Sequence, residues 1–181
     1  MATPANIVLI GMPGAGKSSL GVVLAKRLGM SFVDLDITIQ EEVGRTLQEI
    51  IDERGAEGFL ELEEQVLSGV ECKHTVMATG GSAVYSDAAM RHLAQNGLMV
   101  YLAVGFDEMV DRLGEIDERG VVFRGDGEPN LRALYDERAP LYEHYAQLTV
   151  DVTGKSIRES ALELTERIRK SYPDLLERRR P

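Results

Sequence analysis

Eight residues near the amino end, Gly11-Met12-Pro13-Gly14-Ala15-Gly16-Lys17-Ser18, constrain this chain more tightly than any other stretch. They match the phosphate-loop pattern in full: two glycines separated by four free positions, then Lys and Ser. The flanks agree with the pattern. Ile7-Val8-Leu9-Ile10 reads as a buried strand leading in, and Leu20, Leu24 and Leu28 recur every fourth residue as one face of a helix leading out. Glycines let the backbone curl around phosphate oxygens, so that Gly14, Ala15, Gly16, Ser18 and Ser19 present N–H groups at the positive end of a helix. Lys17 would reach the β- and γ-phosphates, and the Ser18 hydroxyl would bind Mg²⁺. A chain with this unit is expected to bind a nucleoside triphosphate such as ATP.

The rest of the chain alternates strand and helix patterns, which points to a parallel sheet covered on both faces. Short strands are expected at Ser31-Phe32-Val33, Thr75-Val76-Met77-Ala78, Leu98-Met99-Val100-Tyr101-Leu102 and Leu148-Thr149-Val150-Asp151-Val152. With the first strand they make five, in a three-layer α/β/α arrangement. Helix is expected from about Asp36 to Cys72 with breaks near Gly44 and Gly55, then over 87–95, 107–113, 130–145 and 156–172. Cys72 is read as a small residue on a helix. The segment Gly114 to Pro129 is rich in glycine and charge, and reads as a mobile loop. At 181 residues the chain is expected to form one domain, 1–181, with no repeat or linker.

Composition narrows the partners. The net charge of −10 opposes a polyphosphate backbone, so nucleic acid is not an expected partner. No apolar run approaches the ~20 residues that span a bilayer, and the first residues lack the basic region of a secretory leader. A single cysteine, Cys72, suits a reducing, cytoplasmic setting. His74, His92 and His144 lack metal-ligand spacing and read as ordinary surface or helix positions.

Ligands of an open parallel sheet sit beyond the carboxyl ends of its strands, and three polar features fall there. The phosphate loop follows the first strand, Asp34-Leu35-Asp36 the second, and Gly80-Gly81-Ser82 the third. In extended backbone Asp34 and Asp36 face the same side. One carboxylate could orient Mg²⁺ while the other accepts a proton from an attacking hydroxyl. The lesser alternative is that Asp36 is only a helix cap. The third strand ends in Thr79 rather than an acid, so Mg²⁺ is expected to lean on Ser18, phosphates and waters.

These residues, together with Gly44-Arg45-Thr46-Leu47-Gln48-Glu49-Ile50, Thr79-Gly80-Gly81, Arg119 and Glu137-Arg138-Ala139-Pro140-Leu141-Tyr142, give the chain a resemblance to the shikimate kinase family, from Ile7 to about Ser156. The resemblance implies a P-loop kinase fold of the nucleoside-monophosphate-kinase type. Its lid would span about 114–129 and its substrate-binding helical region about 36–62. It implies Mg-ATP-dependent phosphorylation of a hydroxyl on a small polyhydroxylated metabolite, shikimate first, as in aromatic amino acid biosynthesis, by a monomer. Lys17, Asp36 and Arg119 would be catalytic. Asp34 would sit near Mg²⁺, Arg112 would flank the adenine, and Thr153-Gly154-Lys155-Ser156 would form the adenine loop. Gly80, Gly81, Ser82 and Arg138 would hold the substrate with Asp36, Arg138 taking its carboxylate.

The departures lie on the substrate side. The family motif Phe-Arg-x-x-Glu reads Phe59-Leu60-Glu61-Leu62-Glu63, so Leu60 stands where a second carboxylate-clamping arginine is expected. Leucine cannot supply a planar guanidinium fork. A different acceptor of the same chemistry (a sugar acid, polyol or cyclitol), or a catalytically weak ligand-sensing protein, are the alternative expectations.

Overall fold

The computed structural model describes residues 4–115, 120–124 and 130–176. Its first unit is the expected one: β1 (Asn6–Ile10), then α1 (Lys17–Leu28). Next come β2 (Ser31–Asp34), α2 (Leu35–Val43), α3 (Leu47–Ser68) and β3 (Thr75–Ala78). A single 3₁₀ turn, Ala83–Tyr85, precedes α4 (Asp87–Asn96), β4 (Gly97–Ala103) and α5 (Phe106–Glu115). The described residues close with α6 (Leu131–Tyr145), β5 (Leu148–Asp151), α7 (Ile157–Ser171) and the short α8 (Pro173–Leu176).

The five strands form one parallel sheet in the order β2-β3-β1-β4-β5. This is the expected five-stranded α/β/α sheet. The strand order reverses around β1, so a crevice opens beyond its carboxyl end, and the phosphate loop occupies that place. Helices on both faces require an all-apolar central strand. Ile7, Val8 and Leu9 are fully buried and Ile10 is 1% exposed, while Leu20 and Leu24 of α1 pack in the same core.

Local chemistry explains where the long helical stretch breaks. The α2 helix ends at Gly44, whose left-handed φ of 72° lets its N–H return to the Gln40 carbonyl. The α3 helix starts with a reciprocal capping box, the Thr46 hydroxyl and the Glu49 carboxylate each accepting from the other's backbone N–H. Gly55, at φ 71° and ψ 176°, interrupts α3 before it resumes toward Phe59. Two expectations are corrected. Helix α3 ends at Ser68, so Cys72 lies off the helix, half-buried in the stretch before β3. His74 lies beside it with a left-handed φ of 55°, rather than on a helix or ordinary surface position.

Candidate active site

Gly16 caps α1 in the left-handed conformation at φ 84°, which favours glycine and aims the first N–H groups of the helix into the loop. Lys17 follows as the first helical residue and is only 8% exposed. Its Nζ donates to the carbonyls of Gly11 and Met12, each at 2.8 Å, which folds the ammonium over its own loop. Burial lowers its pKa to about 8, against the upward pull of the Asp36 carboxylate. A phosphate arriving there would favour the charged form. Ser18 and Ser19 are exposed at the same helix end.

The two aspartates are arranged differently from the expected extended pair. Strand β2 stops at Asp34, and the helix begins at once. Asp34 is the N-cap of α2, its Oδ1 accepting from the Asp36 backbone N–H at 3.1 Å. The cap belongs to Asp34, which leaves the Asp36 side chain free of that duty. Burial pushes the Asp36 carboxyl up to about 6, with Lys17 pulling it down and Asp34 pushing it further up.

Beyond β3 the Gly80–Gly81 turn brings three more elements to the crevice. A Cβ on Gly80 would stand 2.6 Å from Asp36 Oδ1 and 2.7 Å from Glu63 Oε1, so two carboxylates from α2 and α3 converge over this one residue. A Cβ on Gly81 would stand 2.9 Å from Pro13 Cδ of the phosphate loop and 3.1 Å from Arg138 Nη1. Close approach explains the glycines here. Tyr142 donates its hydroxyl to the Gly81 carbonyl at 2.6 Å. Arg138 and Tyr142, four apart on α6, therefore face the same turn, which gives the Arg-Ala-Pro-Leu-Tyr stretch a physical reason.

Arg138 is 1% exposed. Its Nε donates to the Tyr85 hydroxyl at 3.1 Å and its Nη2 to the Val122 carbonyl. Ser82, also buried, flanks the turn. Leu60 is half-buried and packs on the hydrophobic core. Glu63 is 2% exposed, and its Oε1 has no hydrogen-bond partner among the described residues. Burial lifts its pKa to about 8, offset in part by the Ser82 hydroxyl.

At the loop's outer side Arg112 donates from Nη1 to the Gly14 carbonyl at 3.3 Å and from Nη2 to the Val152 carbonyl at 3.4 Å. It pairs with Glu108, whose other oxygen accepts from the Gly154 N–H at 2.7 Å. Arg112 and the stretch from Thr153 to Ser156 thus form one rim beside the phosphate loop. The Lys155 ammonium is engaged by Glu163 at 2.7 Å and by the Asp151 carbonyl at 2.8 Å. Arg119 lies outside the described residues, as does much of the 114–129 segment. Of its described residues, 114–115 end α5, and 120–124 dock through the Gly120 N–H on the Gln48 side chain at 3.0 Å.

Among the described residues no three His, Cys, Asp or Glu side chains cluster as a metal centre. Of the residues expected to hold Mg²⁺, Ser18 offers a hydroxyl and Asp34 a carboxylate. All-oxygen donors in this small number fit Mg²⁺, which keeps several waters and binds chiefly through phosphates. Sequence reasoning missed Glu63 and Tyr85 as site residues. Glu63 sits in an acidic run with Glu61 and Glu64, but it fills the glutamate of the Phe-Arg-x-x-Glu motif, and its helical period with Phe59, Leu62 and Val66 turns it inward. Nothing in the sequence marks Tyr85.

The arrangement is a phosphate cradle at one end, a guanidinium at the other and the Asp36 carboxylate between them. It suits transfer of a phosphoryl group to a hydroxyl of an anionic small molecule. Comparison with known proteins agrees. The family model for shikimate kinase matches residues 13–169. A shikimate kinase of Pseudoalteromonas atlantica is 39% identical over 169 residues, covering 93% of this chain and 99% of that protein. One from Colwellia psychrerythraea is 38% identical over 171 residues, at 93% and 99% coverage. A solved shikimate kinase from Acinetobacter baumannii, in complex with shikimate, superposes with a TM-score of 0.82 at 32% identity, covering 93% of this chain and 94% of that one.

Proposed function

Since the chain belongs to the shikimate kinase family, we propose that it transfers the γ-phosphoryl group of ATP to a hydroxyl of shikimate, giving shikimate 3-phosphate and ADP. The observation that carries this is the meeting of Lys17, Asp36 and Arg138 around the Gly80–Gly81 turn. The N–H groups of Gly14, Ala15, Gly16, Ser18 and Ser19 hold the phosphates, and Lys17 neutralises charge on the β- and γ-oxygens as it moves to the leaving group. Ser18 and Asp34 would hold Mg²⁺. When bound, the ion supplies positive charge to the β- and γ-phosphate oxygens.

Asp36 orients the acceptor hydroxyl and takes its proton, and a pKa of about 6 leaves it ionised near pH 7 yet basic enough for that work. Gly80, Gly81 and Ser82 line the acceptor pocket, and Arg138 meets the carboxylate of the acceptor. Arg119 is assigned to the transferring phosphoryl group. Arg112 and the Thr153–Ser156 stretch, with Lys155 in it, are assigned to the adenine side. The enzyme is proposed to act as a cytoplasmic monomer.

The test is ADP release with ATP, Mg²⁺ and shikimate, against the same mixture without shikimate. Shikimate-dependent release supports the assignment, and release equal to background removes it. Leu60 favours a second reading, in which the acceptor is a polyol, cyclitol or sugar acid that makes less use of a carboxylate clamp. Turnover of such an acceptor with kcat/KM above that of shikimate would select it.

A further inference from the structure

The acceptor side has one guanidinium in place, Arg138, and an aliphatic side chain at position 60. A lone arginine recognises a carboxylate well only if its plane is fixed, because the charge-assisted contact is directional. Tyr85 and Val122 supply that fixing. Tyr85, at the end of the 3₁₀ turn that follows Gly80–Gly81–Ser82, accepts from Arg138 Nε through its hydroxyl at 3.1 Å. The same phenol ring has the Arg138 guanidinium carbon 4.9 Å from its centroid and that of Arg124 at 4.7 Å. Arg124 ends the 120–124 segment and also pairs with Glu137, the neighbour of Arg138, at 3.4 Å. Val122, in the same segment, lends its carbonyl to Arg138 Nη2. With Nε and Nη2 engaged, Nη1 is the nitrogen directed at Gly81.

We propose that Tyr85 is a positioning residue for acceptor recognition: it fixes the plane of Arg138 and ties that arginine to the 120–124 segment, so that one guanidinium does the work of a two-arginine clamp. The claim rests on the acceptor being a carboxylate, as proposed above. Both halves of the tyrosine are used. The hydroxyl fills the Nε donor, which would otherwise be buried without a partner, and the ring lies against two cations. Ordering the guanidinium before the acceptor arrives removes an entropic cost from binding.

The experiment compares wild type, Tyr85→Phe and Tyr85→Leu with shikimate and with its uncharged carboxamide. Tyr85→Phe should raise KM for shikimate about 3- to 10-fold, and Tyr85→Leu about 10- to 50-fold. KM for ATP should stay within about twofold, and the preference for shikimate over the carboxamide should narrow in step. A merely structural role would instead weaken shikimate, carboxamide and ATP together, and that result overturns the proposal, as does an unchanged shikimate KM in both variants. A second measurement stands apart from turnover: hydrogen exchange of the Arg138 Nε–H by NMR, the resonance assigned by its loss in Arg138→Lys. Exchange should be slow in wild type and at least about tenfold faster in Tyr85→Phe. If wild type turns over no shikimate, the functional assignment falls, while this exchange still decides the role of Tyr85. Equal exchange rates would refute it.

Discussion

The two ends of the crevice are assembled in opposite ways. The phosphate end is one contiguous run, Gly11 to Ser19, in which the backbone supplies most donors and Lys17 is bonded to its own loop. The acceptor end gathers Asp36 from α2, Glu63 from α3, the glycine turn after β3, and Arg138 with Tyr142 from α6. Its arginine is further held by Tyr85 and by a carbonyl of the 120–124 segment. A backbone cradle depends on a few glycines and changes little with the side chains around it. A pocket assembled from dispersed side chains can be retuned one residue at a time, and Leu60 marks the place where this chain departs from the expected motif.

Substitutions should separate the two ends, beginning with the group between them. Asp36→Asn removes the proposed proton acceptor and should lower kcat about 10²- to 10⁴-fold while ATP affinity, read by calorimetry, stays near wild type. Arg138→Lys keeps the charge but loses the planar fork. KM for shikimate should rise roughly 30- to 1,000-fold with KM for ATP nearly constant. A parallel rise in both constants would mean that the two ends are not separable.

The pH dependence sharpens the same contrast. The Asp36 pKa is raised from 3.8 to about 6, so its carboxylate is protonated as pH falls through that value. The acceptor kcat/KM should therefore drop about tenfold per pH unit below pH 6. An aspartate left at its ordinary value would hold activity down to about pH 4. Leu60→Arg should act more gently, lowering KM for shikimate about tenfold by adding one charge-assisted contact. An unchanged constant would show that Arg138 alone satisfies the carboxylate.

The smallest effect expected is on stability. The Glu63 pKa is raised from 4.5 to about 8, so the folded state holds a proton that the unfolded chain releases. The favourable contribution of this group is complete below pH 4.5 and is lost as pH rises through 8. Glu63→Gln removes that loss. It should raise Tm at pH 8 by about 2–4 °C, with the gain vanishing toward pH 4.5. A gain of equal size at both pH values would mean that Glu63 does not titrate across this window.

This difference in construction also explains what could be read from the sequence. The strand, loop and first helix were legible because their signals are local and contiguous, and the five strands followed from apolar runs between turn residues. The breaks at Gly44 and Gly55 were visible for the same reason. The aspartate pair was misjudged in its backbone, because the helix starts at Leu35 and hands the cap to Asp34. By residue type alone, Glu63 looks like its solvated neighbours Glu61 and Glu64 until α3 is turned against the sheet. Tyr85 acquires its partners only through tertiary packing, with Arg124 and Arg138 arriving from 39 and 53 residues away along the chain.

Phosphorus NMR of the protein with ATP, Mg²⁺ and shikimate tests the central claim most directly, since it identifies where the phosphoryl group goes. The proposed chemistry predicts a new phosphate monoester resonance, coupled to a ring proton of shikimate, growing as the ATP signals give way to ADP. Inorganic phosphate as the sole new phosphorus product besides ADP, or ATP signals that do not change, would contradict it.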